Sequence, residues 1–454
     1  MPIEQKWGGT DMDVIRPEDA EYDELRTVFN SMVDKRPAVI AQCATSDDVI
    51  DALAMARSDG YEVAVRAGGH SVAGMCLNDG GLVIDVRPMK RAEVDPGGRT
   101  IQAGAGLTWG EFDRATQAHG LATTGGRVST TGIAGLTLGG GSGWLERAYG
   151  LTCDNLRSVE LVTADGTLVT ASETEHPDLF WALHGGGGNF GVVTNLEFAL
   201  HPVGPMVLAG LMLWPGEGAD DVGRVFRDLA PALPDELGSA FVFLTGPPEE
   251  FVPEHLQGTT LVGLALCWAG DPAEGEEVIR PFRELGPEVD LVGPMPYAEF
   301  NCMIDDPPGM RNYWTADYHE EFPDDALDVF VKYGSERRSP LSQQLLLPWG
   351  GAVAALGEDA TPMTKRSAQW ITHPFAVWED PEDDDANIGW ARGFRQDIAR
   401  YATGGVYLNF IGDEGEERVR AAFGPDKYAR LQGIKAEYDP SNVFHGNQNI
   451  RPAA

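Results

Sequence analysis

Apolar positions along the chain fall into short uninterrupted runs separated by stretches of helical spacing. Residues 38–43, AVIAQC, read as a short buried strand. The period changes in TSDDVIDALAMARSDG, where Val49, Leu53 and Ala56 share one helical face. Acids fill the first turn of that helix, Ser46 is the candidate N-cap, and Gly60 suits the C-terminal end. YEVAVR (61–66), GGLVIDV (80–86) and RTIQAGAG (99–106) are predicted strands, and TWGEFDRATQAHG is a predicted helix that stops at Gly120. NLRSVELVTADGTLVTAS (155–172) has hairpin spacing with Asp165 and Gly166 at its turn. Residues 206–405 alternate strands such as LVGLALCWAG with acidic helices and proline-rich loops. In GGVYLNFIGDEG, strand alternation predicts Tyr407 and Asn409 on one face and Val406, Leu408 and Phe410 on the other.

These elements predict an α+β protein. Its 454 residues are too many for one core, and the texture divides them at about 205 and 405. The pieces are 1–205, 206–405 and a tail, 406–454, that does not continue the middle one.

Two glycine-rich stretches interrupt the pattern, GGRVSTTGIAGLTLGGGSG (125–143) and HGGGGNFGVVTNLEF (184–198). Val128, Ile133, Leu136 and Leu138 make the first too apolar for a flexible linker. Bare backbone amides approach anions closely, so clustered glycine loops point to a large phosphate-bearing ligand. No Walker loop is present, and GGGSGW lacks the strand and acidic residue of a nicotinamide-dinucleotide fingerprint. A flavin dinucleotide held between separate loops fits better, with the amides of Gly68, Gly69 and Ser71 in RAGGHS as one cradle.

Charge narrows the partners. Against 34 basic residues stand 70 acidic ones, a net charge of −36, which excludes a nucleic-acid backbone as partner. Only seven of the basic residues are lysines, a balance that suits either a generally acidic protein or one adapted to high salt. No apolar run reaches the roughly 18 residues of a membrane span, and the N-terminus has no signal-peptide pattern, so a soluble, cytoplasmic protein is expected. Cys43, Cys76, Cys153, Cys267 and Cys302 lack zinc spacing and are expected to be packed thiols, although Cys76 or Cys153 could approach a flavin. No metal is expected, and the acidic run EDPEDDD (379–385) reads as a solvated loop.

RAGGHSVAG, STTGIAGLTLGGGSGWLERAYGLTCDNL, DLFWALHGGGGNFGVVT and YDPSNVFHGNQNI, in that order, resemble the berberine-bridge-enzyme-like FAD-linked oxidoreductases of the vanillyl-alcohol-oxidase (PCMH) superfamily. The resemblance implies a two-subdomain FAD-binding fold with an inserted α/β substrate domain, an antiparallel sheet covered by helices. It implies FAD bonded covalently to His70. Val128 stands where relatives carry a second, cysteinyl attachment, so the link is expected through His70 only. The cofactor is expected against Arg66, Ala67, Gly68, Gly69, His70 and Ser71 of the first motif. Val128, Ser129, Thr131, Gly132, Gly135, Leu138, Gly139, Gly140 and Gly143 of the second should meet it too, with Val193, Asn409 and Asn447.

The implied reaction is oxidation of an alcohol, or a C–N centre, of a carbohydrate, phenolic or secondary-metabolite substrate, with O2 as acceptor. Tyr407 is the candidate base, aided by Asn409; the alternative is that it only packs on the flavin or orients substrate. Tyr313 and Trp314 are candidate substrate platforms. Rival readings are a dehydrogenase of the same fold with another acceptor, and a flavin-binding protein with little turnover. The oligomeric state is not legible.

Overall fold

The computed structural model describes residues 12–305 and 307–453. Its first sheet has the order Asp13–Ile15, Val39–Gln42, Leu82–Asp85, Val63–Arg66, and the last three strands run parallel. Leu82, Val83, Ile84 and Asp85 are all buried, as expected of a parallel strand covered on both faces. The crossover to Val63–Arg66 is the helix Ser46–Asp59, capped by Thr45 and not by Ser46. Thr45 accepts from the Asp48 N–H, and the Asp48 carboxylate accepts from the Thr45 N–H. The reciprocal box needs an acceptor three residues past the cap, and only Thr45 meets that condition, because Ser46 is followed at that distance by Val49.

The second sheet is antiparallel, in the order Ala92–Asp95, Thr100–Gly104, Val192–Ala199, Leu156–Val162, Leu168–Ser172. Its last two strands are the predicted hairpin, turning where the Asp165 carboxylate accepts from the Thr167 N–H.

Nine strands form the third sheet, along the path Met206–Pro215, Thr260–Trp268, Leu237–Thr245, Gln343–Pro348, Trp370–Trp378, with shorter strands at its edges. Alternation gives this sheet two different faces. Phe241, Phe243, Leu346 and Trp370 pack with Phe226, Phe282, Phe330 and Phe394 of the helices Ala219–Leu229, Pro272–Arg283, Asp324–Ser335 and Asp384–Ile398. Leu345 and Leu347 turn the other way, toward the glycine-rich loops.

The run 379–385 is not simply a solvated loop. Asp384 opens the helix Asp384–Ile398, and its carboxylate accepts from the Arg311 guanidinium (2.6 and 2.5 Å) and from the Trp378 ring N–H (2.8 Å).

The tail returns to the glycine loops through a buried ion pair. Lys435 and Asp439 are each 0 % exposed and 2.6 Å apart. Lys435 Nζ also donates to the carbonyls of Asn189 and Phe444, while Asp439 accepts the N–H groups of Val443 and Phe444. Asn189 completes the staple by accepting from the Ile450 N–H. Removing either charge would leave the other buried and unpaired, at a cost of about 3–5 kcal/mol. Among the described residues, no helix is long and apolar enough to cross a membrane.

Asn301 ties the middle piece to the first, donating to Asp113 (2.7 Å) and to the Gly126 carbonyl (2.9 Å). Burial raises the Asp113 pKa to about 7, against the opposing hydrogen bond from Asn301. The folded protein therefore holds this proton where the unfolded chain, at 3.8, has lost it, and stability from this site falls as pH rises from about 4 through about 7. Asp113→Asn is expected to raise stability at pH 8 by on the order of 2–4 kcal/mol, with no gain below pH 4, measured by urea unfolding across pH.

Candidate active site

The strand Val63–Arg66 runs into Gly68 and Gly69, and this loop meets the second glycine segment with no side chain between them. A Cβ on Gly68 would stand 2.2 Å from the Gly132 nitrogen, and one on Gly132 would stand 2.3 Å from the Gly68 nitrogen. The contact fixes the next residue. His70 Nε2 lies 3.0 Å from the Thr130 hydroxyl, Nδ1 lies 3.4 Å from that of Thr131, and the ring stacks on Phe29 with centroids 4.3 Å apart. Burial lowers the His70 pKa to about 4, so the imidazole is neutral at pH 7 and keeps a nucleophilic lone pair. Among the described residues, the N–H groups of Gly68, Gly69, His70 and Ser71 find no acceptor within the protein.

These loops wall a cavity of about 2180 Å³, its open mouth included. Its enclosed part is about 390 Å³, within the roughly 300–1,000 Å³ of an ordinary ligand site, and its lining runs from Val63 and Val65 across both glycine segments to Leu347 and Phe375 of the third sheet. Gly135 and Gly188 line it, and a Cβ on either would meet nothing within 4 Å. Packing therefore does not demand glycine at these two positions, whereas an occupant of the cavity would. Asn447 lines the same wall with its Oδ1 buried and unpartnered. Free amides, side-chain-free walls and an orphan acceptor together fit a flavin dinucleotide.

Sixteen of the sequence-predicted site residues reach the cavity: Ala67, Gly68, Gly69, His70, Ser71, Val128, Thr131, Gly132, Gly135, Leu138, Gly139, Val193, Trp314, Tyr407, Asn409 and Asn447. Five do not. Val63 and Val65 face the cavity, so alternation turns Arg66 away, and its guanidinium holds the carbonyls of Leu25 and Thr27. Ser129 is drawn off by Asp305, which accepts both its N–H (2.6 Å) and its hydroxyl. Gly140 is required by its backbone, with φ at 113°, and Gly143 by packing, since a Cβ there would strike the Gly125 carbonyl at 1.9 Å. Tyr313 neighbours Trp314 on a strand and so faces the opposite side, where its hydroxyl accepts from Arg392. Of the cysteines, Cys76 lines the cavity and Cys153 does not.

Residues 406–410 are not a strand. Tyr407 is extended and Leu408–Phe410 forms a 3-10 turn, because no neighbouring strand pairs with this segment. Tyr407 and Asn409 still meet, and Leu408 and Phe410 line the cavity beside them. The Tyr407 oxygen accepts from the Gly141 and Ser142 N–H groups, both at 2.8 Å, and from Asn409 Nδ2 at 3.1 Å. Burial raises the phenol's pKa, and these three donors only partly oppose it.

Sequence reasoning missed the wall supplied by the third sheet. Gln343, Leu345 and Leu347 alternate into the cavity from one strand, and His373 and Phe375 from the next. Neither QQLLLP nor THPF alternates apolar and polar residues, as expected of strands covered on both faces, so nothing in either marks one face as a site.

Fold and cavity together define a flavin dinucleotide-binding protein. Residues 37–172 match the family described as FAD binding domain, and residues 406–451 match Berberine and berberine like. The chain is 30 % identical over 452 residues to an uncharacterized FAD-linked oxidoreductase, YgaK, of Bacillus subtilis (strain 168), covering 97 % of this chain and 96 % of the relative. It is also 30 % identical to the (R)-6-hydroxynicotine oxidase of Paenarthrobacter nicotinovorans, covering 97 % and 96 %. The solved 6-hydroxy-D-nicotine oxidase of Arthrobacter nicotinovorans superposes with a TM-score of 0.87 at 27 % identity, over 98 % of each chain. The chain belongs to the berberine-bridge-enzyme-like FAD-linked oxidoreductases and is an FAD-dependent enzyme with a PCMH-type fold.

The glycine wall yields a direct expectation. Gly188→Val and Gly135→Val should keep the fold, with melting temperature within a few degrees of wild type, but lose most bound flavin. Gly68→Ala should fail earlier, as unfolding or insolubility, because its Cβ strikes backbone. Melting curves and flavin absorbance of the purified variants check both.

Proposed function

We propose that this chain is a covalently flavinylated oxidase in which residues 1–205 and 406–454 hold FAD and residues 206–405 cover it and select the substrate. FAD, when bound, supplies the two-electron acceptor for oxidation of a C–OH or C–N centre, and O2 is the proposed final acceptor. The observation that carries the reading is His70, a neutral imidazole fixed beside two free glycine amides on the wall of the large cavity. Val128, partly exposed to the same cavity, supports attachment through His70 alone, since no thiol stands at that position.

Tyr407 and Asn409 are assigned to holding the loop at 139–142 against the reacting end. Asn409 Nδ2 also donates to the Leu136 carbonyl (2.9 Å), which binds this pair to the glycine segment from two sides. A phenol whose pKa burial has raised, with its three N–H donors only partly opposing the rise, stays protonated at neutral pH and is a poor base there.

Acid precipitation of the purified protein should leave the yellow colour in the pellet, with an intact-mass increment of one FAD that His70→Ala abolishes. Anaerobic substrate should bleach the flavin and air should restore it with release of peroxide; failure of air alone to do so would turn the reading to a dehydrogenase. Tyr407→Phe should lower stability by about 1–3 kcal/mol for each orphaned N–H yet keep turnover within about tenfold. A loss of a thousandfold at full flavin content would instead make Tyr407 the base.

A further inference from the structure

The cavity wall built by the third sheet is largely apolar and carries no charged side chain. Trp314, Leu345, Leu347 and Phe375 supply it, with Phe410 of the tail beside them and Gln343 as its one amide, and among the described residues no Asp, Glu or Lys lines the cavity. Arg127 does line it, but its guanidinium donates to Ser142, Gly143 and Glu146. A polyhydroxylated sugar would leave most of its hydroxyls unpaired on such a wall, and an ammonium would find no carboxylate there.

Against this background His373 stands out. It is 3 % exposed, lies on the cavity face of Trp370–Trp378, and pairs across the sheet with Leu345. Its Nδ1 donates to the Thr315 carbonyl at 3.0 Å, which fixes the tautomer and leaves Nε2 as an acceptor. Three rings hold the imidazole in place: Phe410 stacked at 4.3 Å, with Trp314 and Phe375 edge-on at 5.7 and 5.5 Å. Among the described residues Nε2 has no protein partner, yet it is not enclosed within the protein, so its lone pair opens on the cavity. Burial lowers the pKa to about 4, which keeps the ring neutral and able to accept throughout the neutral range.

We propose that His373 Nε2 is the specificity-determining acceptor for the hydroxyl of an uncharged aromatic substrate, whose ring packs among Trp314, Phe375 and Phe410. The inference rests on the flavin-site reading of this cavity and adds to it a substrate class and a residue. A phenol satisfies this acceptor and buries its ring. An ether of the same shape leaves that acceptor unpaired.

The test is equilibrium binding to the flavin-loaded protein of 4-chlorophenol and 4-chloroanisole, which offer no oxidisable C–OH centre. Affinity is read from the shift of the flavin absorbance and, independently, by calorimetry. Wild type should bind the phenol about tenfold more tightly than the ether. His373→Phe should bring the two within about twofold without weakening the ether, and His373→Gln, which retains an acceptor, should recover part of the preference. Equal affinities in wild type, or a preference that survives in His373→Phe, overturn the proposal. Should His373→Phe fail to fold, the wild-type comparison alone still decides. Absence of flavin from the protein would count against the proposed function, while calorimetry with the same probes would still judge His373.

Discussion

Two backbones touching at Gly68 and Gly132 are the constraint on which the site depends. One loop ends a parallel strand and the other precedes a short helix, and neither could approach the other with a Cβ in the way. Their contact places His70 against Thr130 and Thr131, beside four consecutive amides without acceptors among the described residues. The same approach opens the cavity to the third sheet on its far side. The buried pair Lys435 and Asp439 then closes the remaining side by fixing the tail to Asn189 in the other glycine loop. Glycine is thus used here in two ways: at Gly68 and Gly132 to let backbone meet backbone, at Gly135 and Gly188 to leave space.

Burial sets the chemistry of the walls. His70 and His373 line the same cavity, and loss of solvent makes both neutral. For His70 that neutrality preserves a nucleophile; for His373 it preserves an acceptor. Tyr407 is affected in the opposite sense, because its charged form is the deprotonated one, so the same burial that keeps the imidazoles useful holds the phenol in its protonated state. Its oxygen instead organises the loop at 139–142.

Much of this was legible in the sequence because the constraints are local. Glycine spacing, the hairpin turn at Asp165 and Gly166, and strand periods all depend on neighbours within a few residues. What was not legible depends on partners far along the chain. Residues 406–410 have strand alternation but no strand to pair with, so the segment coils while its side chains bind loop 139–142. Ser129 and Gly143 sit within a motif that lines the cavity, but Asp305 and the Gly125 carbonyl claim them. His373, one histidine in an apolar strand, reads as core until the opposing loops show that its face is open. The direction of Arg66 was recoverable in principle, since Val63 and Val65 take the cavity side of the same short strand.

The central claim is that the glycine contact delivers His70, and no other side chain, to the flavin. Tryptic digestion of the flavin-loaded protein followed by fragmentation of the flavin-bearing peptide tests it most directly. The account predicts one labelled peptide, beginning at Ala67, with the modification on His70, although Cys76 lies in the same peptide and lines the same cavity. Flavin on Cys76, on a peptide containing Cys153, or on no peptide at all would contradict it.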